Sequence, residues 1–566
     1  MEMSGAGGVP KLDDPAEEPW PAATACMTRR EKERWRRVLI IVCLVLLVFF
    51  LLRLESPSMV WQSARAKLTA MHGGGFMNAS HAGATKADEL LGGLLAPGFS
   101  RRSCLSRYQS HQYYKHFPYA PSSYLLHKLR SYEARHKKCA PGTPLYAKSV
   151  EQLRSGRSAE AMECNYLVWL PFDGLGNRML SMVSGFLYAL LTDRVLLVAL
   201  PQDSSDLFCE PFPDTTWLLP PDFPVANLFG LGPQPDQSYT SLLDKKKMVN
   251  DPANATALSV PPYVYLSLGY QLVDKLFFCG EDQLVLAKVN WLLLYSDLYF
   301  VPSLYSIAEF QNELRRLFPA KESVAHLLAR YLLHPTNSVW GLVTRYYHSY
   351  LDQAKQRIGI QIRMFNFASI PADDMYNQIL ACSRQEHILP ETDGDEAAAA
   401  TGNLSATNNG GDEAEDGYTA ILIASLYADY YERMRSAYYE HAARGGARVG
   451  VFQPTHEERQ ATEKLAHNQK ALAEIYLLSF SEVLLTSGMS TFGYVSSSLA
   501  GLRPTILLPA HGHRVPETPC LQAVSMEPCN LTPAREECRG KAVDKEDLAR
   551  HIKVCEDFQG GVKFFD

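Results

Sequence analysis

Three short motifs carry residue types suited to holding a negatively charged ligand, each where one structural element gives way to the next. Gly174-Leu-Gly-Asn-Arg178 follows an apolar run and opens a helical pattern. Its glycines, Gly176 included, let the backbone approach a ligand closely, and a helix N-terminus offers unpaired N–H groups with partial positive charge. Asn177 and Arg178 add directional donors. A tight strand-to-helix turn needs the same glycines for structure alone, so both readings stand. The dinucleotide fingerprint is excluded, because its third glycine would fall at Met179. Arg363 ends the run Ile358-Gly-Ile-Gln-Ile-Arg363. A planar guanidinium at the carboxyl end of a strand suits a two-pronged grip on a diphosphate and can offset charge on a leaving group; a surface salt bridge is the plainer alternative. Ser490-Thr-Phe-Gly493 begins another helix, where hydroxyls and amides form a phosphate cradle or simply cap the helix. No G-x-S-x-G elbow, H-E-x-x-H or Walker A pattern supplies an activated nucleophile.

The elements that must position these motifs alternate between strand and helix. Tyr166-Leu-Val-Trp-Leu170 reads as a buried strand, Leu180, Val183, Leu187 and Leu191 recur at helical spacing, and Val195-Leu-Leu-Val198 is a second strand. That is a βαβ unit, which implies a parallel sheet with helices on its faces. Downstream, 358–363 reads as a strand, 419–443 as a long amphipathic helix stopped by Gly445-Gly446, and 449–452 as a strand. A helix from near Glu457, a strand at 483–486, a helix after Ser490 and a strand at 505–508 complete the second set. The expected fold is α/β: two doubly wound, Rossmann-like domains with the active site in the cleft between them, at 101–340 and 341–566.

The chain has 566 residues, 46% hydrophobic and 20% charged, with net charge −6, which leaves no footprint for nucleic acid. Its dense basic cluster, 29–37, instead precedes fifteen apolar residues, Val38 to Leu52. Thirty-seven residues with no apolar run of their own lie before it and no cleavage motif follows it, so it reads as a retained anchor at 38–54. The positive-inside rule leaves 1–37 cytosolic and the rest lumenal. The short span suits a single-pass type II protein of the Golgi membrane. A Gly/Ala/Ser/His-rich stem follows at 55–100. Of twelve cysteines, ten follow the span, an even number that suggests disulfides in an oxidising lumen, and no C-x-x-C favours zinc. N-x-S/T sequons at Asn78, Asn254, Asn403 and Asn530 are expected glycosylation sites. The acidic, alanine-rich stretch 391–417 reads as a disordered insert, and Asp393-Gly-Asp395 within it is a poor metal site because nothing fixes the carboxylates.

The chain resembles the plant xyloglucan fucosyltransferase family across 92–530. The stretches that carry the resemblance include Ser103-Cys-Leu-Ser-Arg-Tyr-Gln-Ser110, Gly174-Leu-Gly-Asn-Arg178, Ala189-Leu-Leu-Thr-Asp-Arg-Val195, Cys209-Glu-Pro-Phe-Pro-Asp214 and Tyr299-Phe-Val-Pro-Ser303. Gln453-Pro-Thr-His-Glu457, Ser490-Thr-Phe-Gly-Tyr494 and Ser525-Met-Glu-Pro-Cys529 extend it. The resemblance implies a GT-B fold and inverting transfer of L-fucose from GDP-fucose, without cofactor or metal, to galactose of xyloglucan or arabinose of arabinogalactan protein. It makes Arg363 the diphosphate ligand, puts Ser490, Thr491, Phe492 and Gly493 around the nucleotide sugar, and sets Gly176, Asn177 and Arg178 across the cleft. His456 and Glu457 are further nucleotide contacts, and Asp297 matches an acidic position near the acceptor, a candidate base. Leu170-Pro-Phe-Asp173 and Ser496-Ser-Ser498 depart from the family pattern. Transfer from another nucleotide sugar, or an inactive paralogue that binds glycan or scaffolds other enzymes, are the alternative functions. A homodimer, or a complex with other Golgi glycosyltransferases, stays open.

Overall fold

Strands buried on both faces must be almost wholly apolar, and parallel strands need helical crossovers. β1, Tyr166–Pro171, is buried along its length. Gly174 caps α1, Leu175–Leu191, and β2 is Val195–Val198. With β3, Tyr263–Ser267, and β4, Trp291–Ser296, they build a four-stranded parallel sheet in the order β2-β1-β4-β3. Helix α2, Val324–Leu332, precedes a second alternating series. This runs β5 (Gln356–Ile362), α3 (Ala372–Glu386), β6 (Tyr418–Ser425), α4 (Asp429–Glu440) and β7 (Arg448–Phe452). It continues through α5 (Leu465–Ser479), β8 (Val483–Ser487), α6 (Thr491–Ala500), β9 (Thr505–Leu507) and β10 (Cys520–Gln522). Its order is β10-β9-β8-β5-β6-β7, parallel except at the edge strand β10.

The structure is a computed structural model that describes residues 90–159, 162–232, 235–245, 247–248, 260–393, 418–534, 537–538, 541–542 and 549–566. The expected tail, the anchor at 38–54, most of the stem, Asn78, Asn254, Asn403 and Asp395 lie outside them. Among the described residues no helix is long and apolar enough to cross a membrane.

Four expectations about elements and boundaries are corrected. The helix expected over 419–443 is a strand followed by a shorter helix, β6 and α4. β6 lies between β5 and β7, so it is apolar on both faces and lacks the alternation that marks a half-buried strand. The helix expected near Glu457 starts at Leu465, and 454–464 is mostly irregular. The stem does not reach residue 100, because Leu94, Leu95 and Ala96 are buried. The insert starts later than 391: Arg444 N–H donates to the Glu391 carbonyl (2.8 Å) and Asp393 N–H to that of Ala442 (3.0 Å).

One buried cluster runs through both sheets' helices, containing Phe186 of α1, Leu328 of α2, Leu472 of α5 and Leu499 of α6. Arg330 on α2 donates to the carbonyls of Leu499 (2.9 Å) and Ala500 (3.2 Å). These are last-turn carbonyls of α6 that no helical N–H can reach. Gly501, at φ 73°, then stops that helix in the left-handed conformation.

All ten cysteines after the expected span are paired: Cys104–Cys209, Cys139–Cys164, Cys279–Cys538, Cys382–Cys520 and Cys529–Cys555. Beside the last of these, Asn530 is fully buried and its side-chain amide donates to Ser303 Oγ (2.8 Å). The folded chain therefore has no room for a glycan at Asn530, and that sequon is withdrawn.

Candidate active site

Strand register brings the functional groups level. Pro171 pairs with Ser296, so Asp173 and Asp297 both lie just past the ends of neighbouring strands β1 and β4. Ile362 pairs with Ser425 and Gln361 with Thr486, so in the second sheet Arg363 lies just past the end of β5, level with Ser487, the last residue of β8. Carboxyl ends of parallel strands are where open α/β sheets bind ligands. A cavity of about 490 Å³ opens there, lined by Asp173, Asn177, Asp297, Arg363, Glu474 and Ser490 among others.

Two helix N-termini meet at this cavity. A Cβ on Gly176 would lie 2.6 Å from Thr491 Oγ1 and 2.9 Å from the Phe492 nitrogen, so only glycine lets the first turns of α1 and α6 touch. Thr491 Oγ1 donates to Asn177 Oδ1 (2.6 Å), and the Asn177 amide donates to Asp173 Oδ2 (2.9 Å). Ser490 is buried at the cavity wall in the N-cap position of α6, yet its side chain makes no capping hydrogen bond. Capping therefore does not account for this serine. Phe492 also lines the cavity.

Arg363 does not make the surface salt bridge that its position allowed. Its backbone N–H donates to Ser487 Oγ (2.9 Å), and Nη2 donates to Gln460 Oε1 (2.7 Å). The guanidinium carbon lies 5.5 Å from the Phe365 ring centroid. Among the described residues it has no carboxylate within ion-pair distance, so its charge is available to the cavity. Burial lowers its pKa somewhat, while Tyr427 and Asp173 oppose that.

Asp297 is buried, and its Oδ1 has no hydrogen-bond partner among the described residues. Burial, and then the nearby Asp173 charge, push this carboxyl up to about 6, against the pull of the Asp297 and Tyr270 backbone N–H groups. A carboxylate so placed can take a proton from an approaching hydroxyl near neutral pH.

Other expected ligands have different work. Arg178 pairs with Asp203 (3.0 and 3.4 Å) and bonds Ser204 Oγ (2.8 Å) and the Asp173 carbonyl (2.8 Å), away from the cavity lining. It fixes a loop whose Asp203 carbonyl accepts from Asn468 on α5 (3.0 Å). A Cβ on Gly493 would lie 2.8 Å from Thr486 Cβ, so this glycine serves helix-on-sheet packing. His456 is exposed and outside the lining. Glu457 does line the cavity, held by Lys470 and by His467 (3.4 Å).

Reading the sequence missed Gln460, Glu474 and Asp557. Gln460 sits in a polar loop with no signal of its own. Glu474 is a lone carboxyl in the apolar run of α5, which was a usable signal; burial pushes it up to about 8, and Thr455 Oγ1 donates to it (2.5 Å). Asp557, far along the chain, accepts from the Met489 N–H (2.7 Å) and the Tyr494 hydroxyl (2.6 Å), anchoring the turn before Ser490. Among the described residues, the one grouping with metal-ligand spacing is Cys529, Cys555 and Asp557, and its two sulfurs are spent in a disulfide.

Two largely parallel sheets with an arginine and paired helix N-termini in the cleft make this an α/β fold suited to a phosphorylated ligand. The family model described as xyloglucan fucosyltransferase matches residues 66–539. A galactoside 2-alpha-L-fucosyltransferase of Pisum sativum is 48% identical over 483 residues, covering 85% of this chain and 82% of that protein. A protein of the same name from Arabidopsis thaliana is 44% identical over 530 residues, covering 93% and 91%. A solved structure of a mutant of Arabidopsis thaliana FUT1 in complex with GDP is similar at TM-score 0.75 and 45% identity, covering 84% of this chain and all of that one. The chain belongs to the xyloglucan fucosyltransferase family, and it is a fucosyltransferase.

Proposed function

We propose that this enzyme transfers L-fucose from GDP-fucose, with inversion, to galactose of a cell-wall glycan such as xyloglucan. The observation that carries the reading is the meeting of α1 and α6 at Gly176 and Thr491, beside an Arg363 with no carboxylate partner among the described residues. Amides of Thr491 and Phe492, the Ser490 hydroxyl and the Arg363 fork would hold the diphosphate and stabilise its charge as the glycosidic bond breaks. The Thr455–Glu474 pair lines the cavity, its glutamate buried, and once ionised the carboxyl would offer acceptor oxygens for the adjacent N–H groups of a guanine edge. Asp297, on the facing sheet, would receive the proton of the acceptor hydroxyl as it attacks the face opposite GDP. The names of the relatives support galactose as acceptor, and the GDP in the similar solved structure supports the donor.

The same proposal includes a single-pass type II protein facing the Golgi lumen. Five disulfides fit that oxidising compartment. Nucleotide choice tests the donor site: GDP should raise the thermal midpoint of the full-length protein while UDP at equal concentration does not. Equal stabilisation by UDP would defeat the assignment of the base.

A further inference from the structure

Aromatic side chains gather at the cleft, and the deep donor site leaves them without a task. Tyr270, Phe365 and Phe367 are in its lining, and Phe172 and Tyr427 are next in sequence to the lining residues Asp173 and Leu426. Phe172 follows β1, Tyr270 follows β3, Phe365 and Phe367 follow β5, and Tyr427 follows β6. Strand topology thus collects them at the carboxyl edges of both sheets. Phe172, Tyr270, Phe367 and Tyr427 are 42%, 62%, 70% and 40% exposed, so none is a core residue. Phe172 packs against Tyr295, with ring centroids 4.5 Å apart. Phe365 and Phe367 stack at 5.3 Å, and Arg363 lies over Phe365. The two sides differ in neighbour: Tyr270 adjoins Asp297 through its backbone N–H, whereas Phe365 adjoins Arg363.

We propose that Tyr270 and Phe172 on one lip, and Phe365 and Phe367 on the other, form a stacking platform for the neutral, β-linked pyranose chain that carries the acceptor sugar. Pyranose rings present apolar C–H faces and polar edges, which suits exposed aromatic faces set around polar catalytic groups. A nucleotide is not the occupant, because the buried polar groups that would hold one lie deeper, at Ser490 and Glu474. An anionic lipid surface is not the occupant either: the carboxylates of Asp173 and Asp297 stand between the lips, and the rings lie on two sides of a cleft rather than in one flat patch. The idea rests on the fucosyltransferase reading for its acceptor, and specificity for a long glycan over a short one would reside here.

The test is equilibrium binding by the full-length protein of two probes, a galactose-bearing xyloglucan oligosaccharide and lactose, with GDP as the donor-side control. Tyr270→Ala or Phe367→Ala should each weaken the oligosaccharide about 3- to 10-fold, the scale of one aromatic contact. The double variant should lose about the product of the two factors, since the lips lie on different loops. Affinity for GDP should stay within about twofold, lactose should be affected less than the oligosaccharide, and Tyr270→Trp should restore binding. Unchanged oligosaccharide affinity in the double variant, or an equal loss for GDP, overturns the platform. Because binding is read without turnover, the two readings fail separately. A wild type that transfers no fucose, with platform variants that still lose the oligosaccharide, removes the donor assignment alone. A wild type that transfers fucose, with platform variants that bind normally, removes the platform alone.

Discussion

Replacing Arg363 by lysine keeps the positive charge and removes the fork. In the folded protein the side chain makes one hydrogen bond, to Gln460, and stacks beside Phe365. Losing that neutral-acceptor bond should cost about 0.5–1.5 kcal/mol, so the variant stays folded with a modestly lower thermal midpoint. The catalytic cost is larger. A lysine is a point charge on a flexible stem and cannot reproduce two parallel N–H bonds to a diphosphate. If those bonds tighten as GDP departs, their loss raises the barrier by about 2–4 kcal/mol, on the order of 10² to 10³ in kcat. Initial rates with labelled GDP-fucose, GDP affinity, and the midpoint without ligand separate the two costs. A variant with unchanged midpoint and near-normal turnover would show that Arg363 is not the diphosphate ligand. Chelator should leave the wild type unaffected if the Arg363 guanidinium and the helix amides offset the diphosphate charge as proposed.

The rate should fall as pH drops through about 6, where Asp297 takes up its proton and can no longer act as base. Removing the repulsion with Asp173→Asn lowers the Asp297 pKa, so the acid limb should move to lower pH; an unmoved limb argues against this pair. Glu527 is buried with its carboxyl raised to about 8 by desolvation, above its ordinary 4.5, while accepting from the Ala325 N–H (2.7 Å) and the Tyr299 hydroxyl. Its favourable contribution is complete below the ordinary value and is lost as pH rises through about 8. Glu527→Gln should therefore flatten the decline of thermal midpoint between those limits, and an unaltered slope would assign the pH dependence elsewhere. Alkylation without reduction should label none of the ten paired cysteines, and Cys104→Ser with Cys209→Ser should cost about 2–5 kcal/mol of stability.

The sheets were legible where strands were bounded by turns, as at Tyr166–Pro171 and Val483–Ser487. They were illegible at Tyr418–Ser425, where burial between two strands erases periodicity. Asn177, Arg363 and Ser490 were readable because a strand end or a helix start fixes where a side chain can point. Arg178 is placed differently from its neighbour: Asn177 reaches the cavity, whereas Arg178 pairs with Asp203, twenty-five positions away, which no local pattern signals. Glycines gave the same split, with Gly176 serving the cleft and Gly493 serving packing. No local pattern could place Asp557 under the Ser490 turn, since that contact spans sixty-eight residues.

Transfer itself is the most direct test of the central claim. Full-length protein is incubated with labelled GDP-fucose and galactose-bearing xyloglucan, without added metal, and the product is analysed for fucosyl linkage. The expected result is an α-linked fucose on galactose, formed by the wild type and reduced on the order of 10² or more in Arg363→Lys. Label that remains in GDP-fucose, or a glycan that binds without turnover, would contradict it.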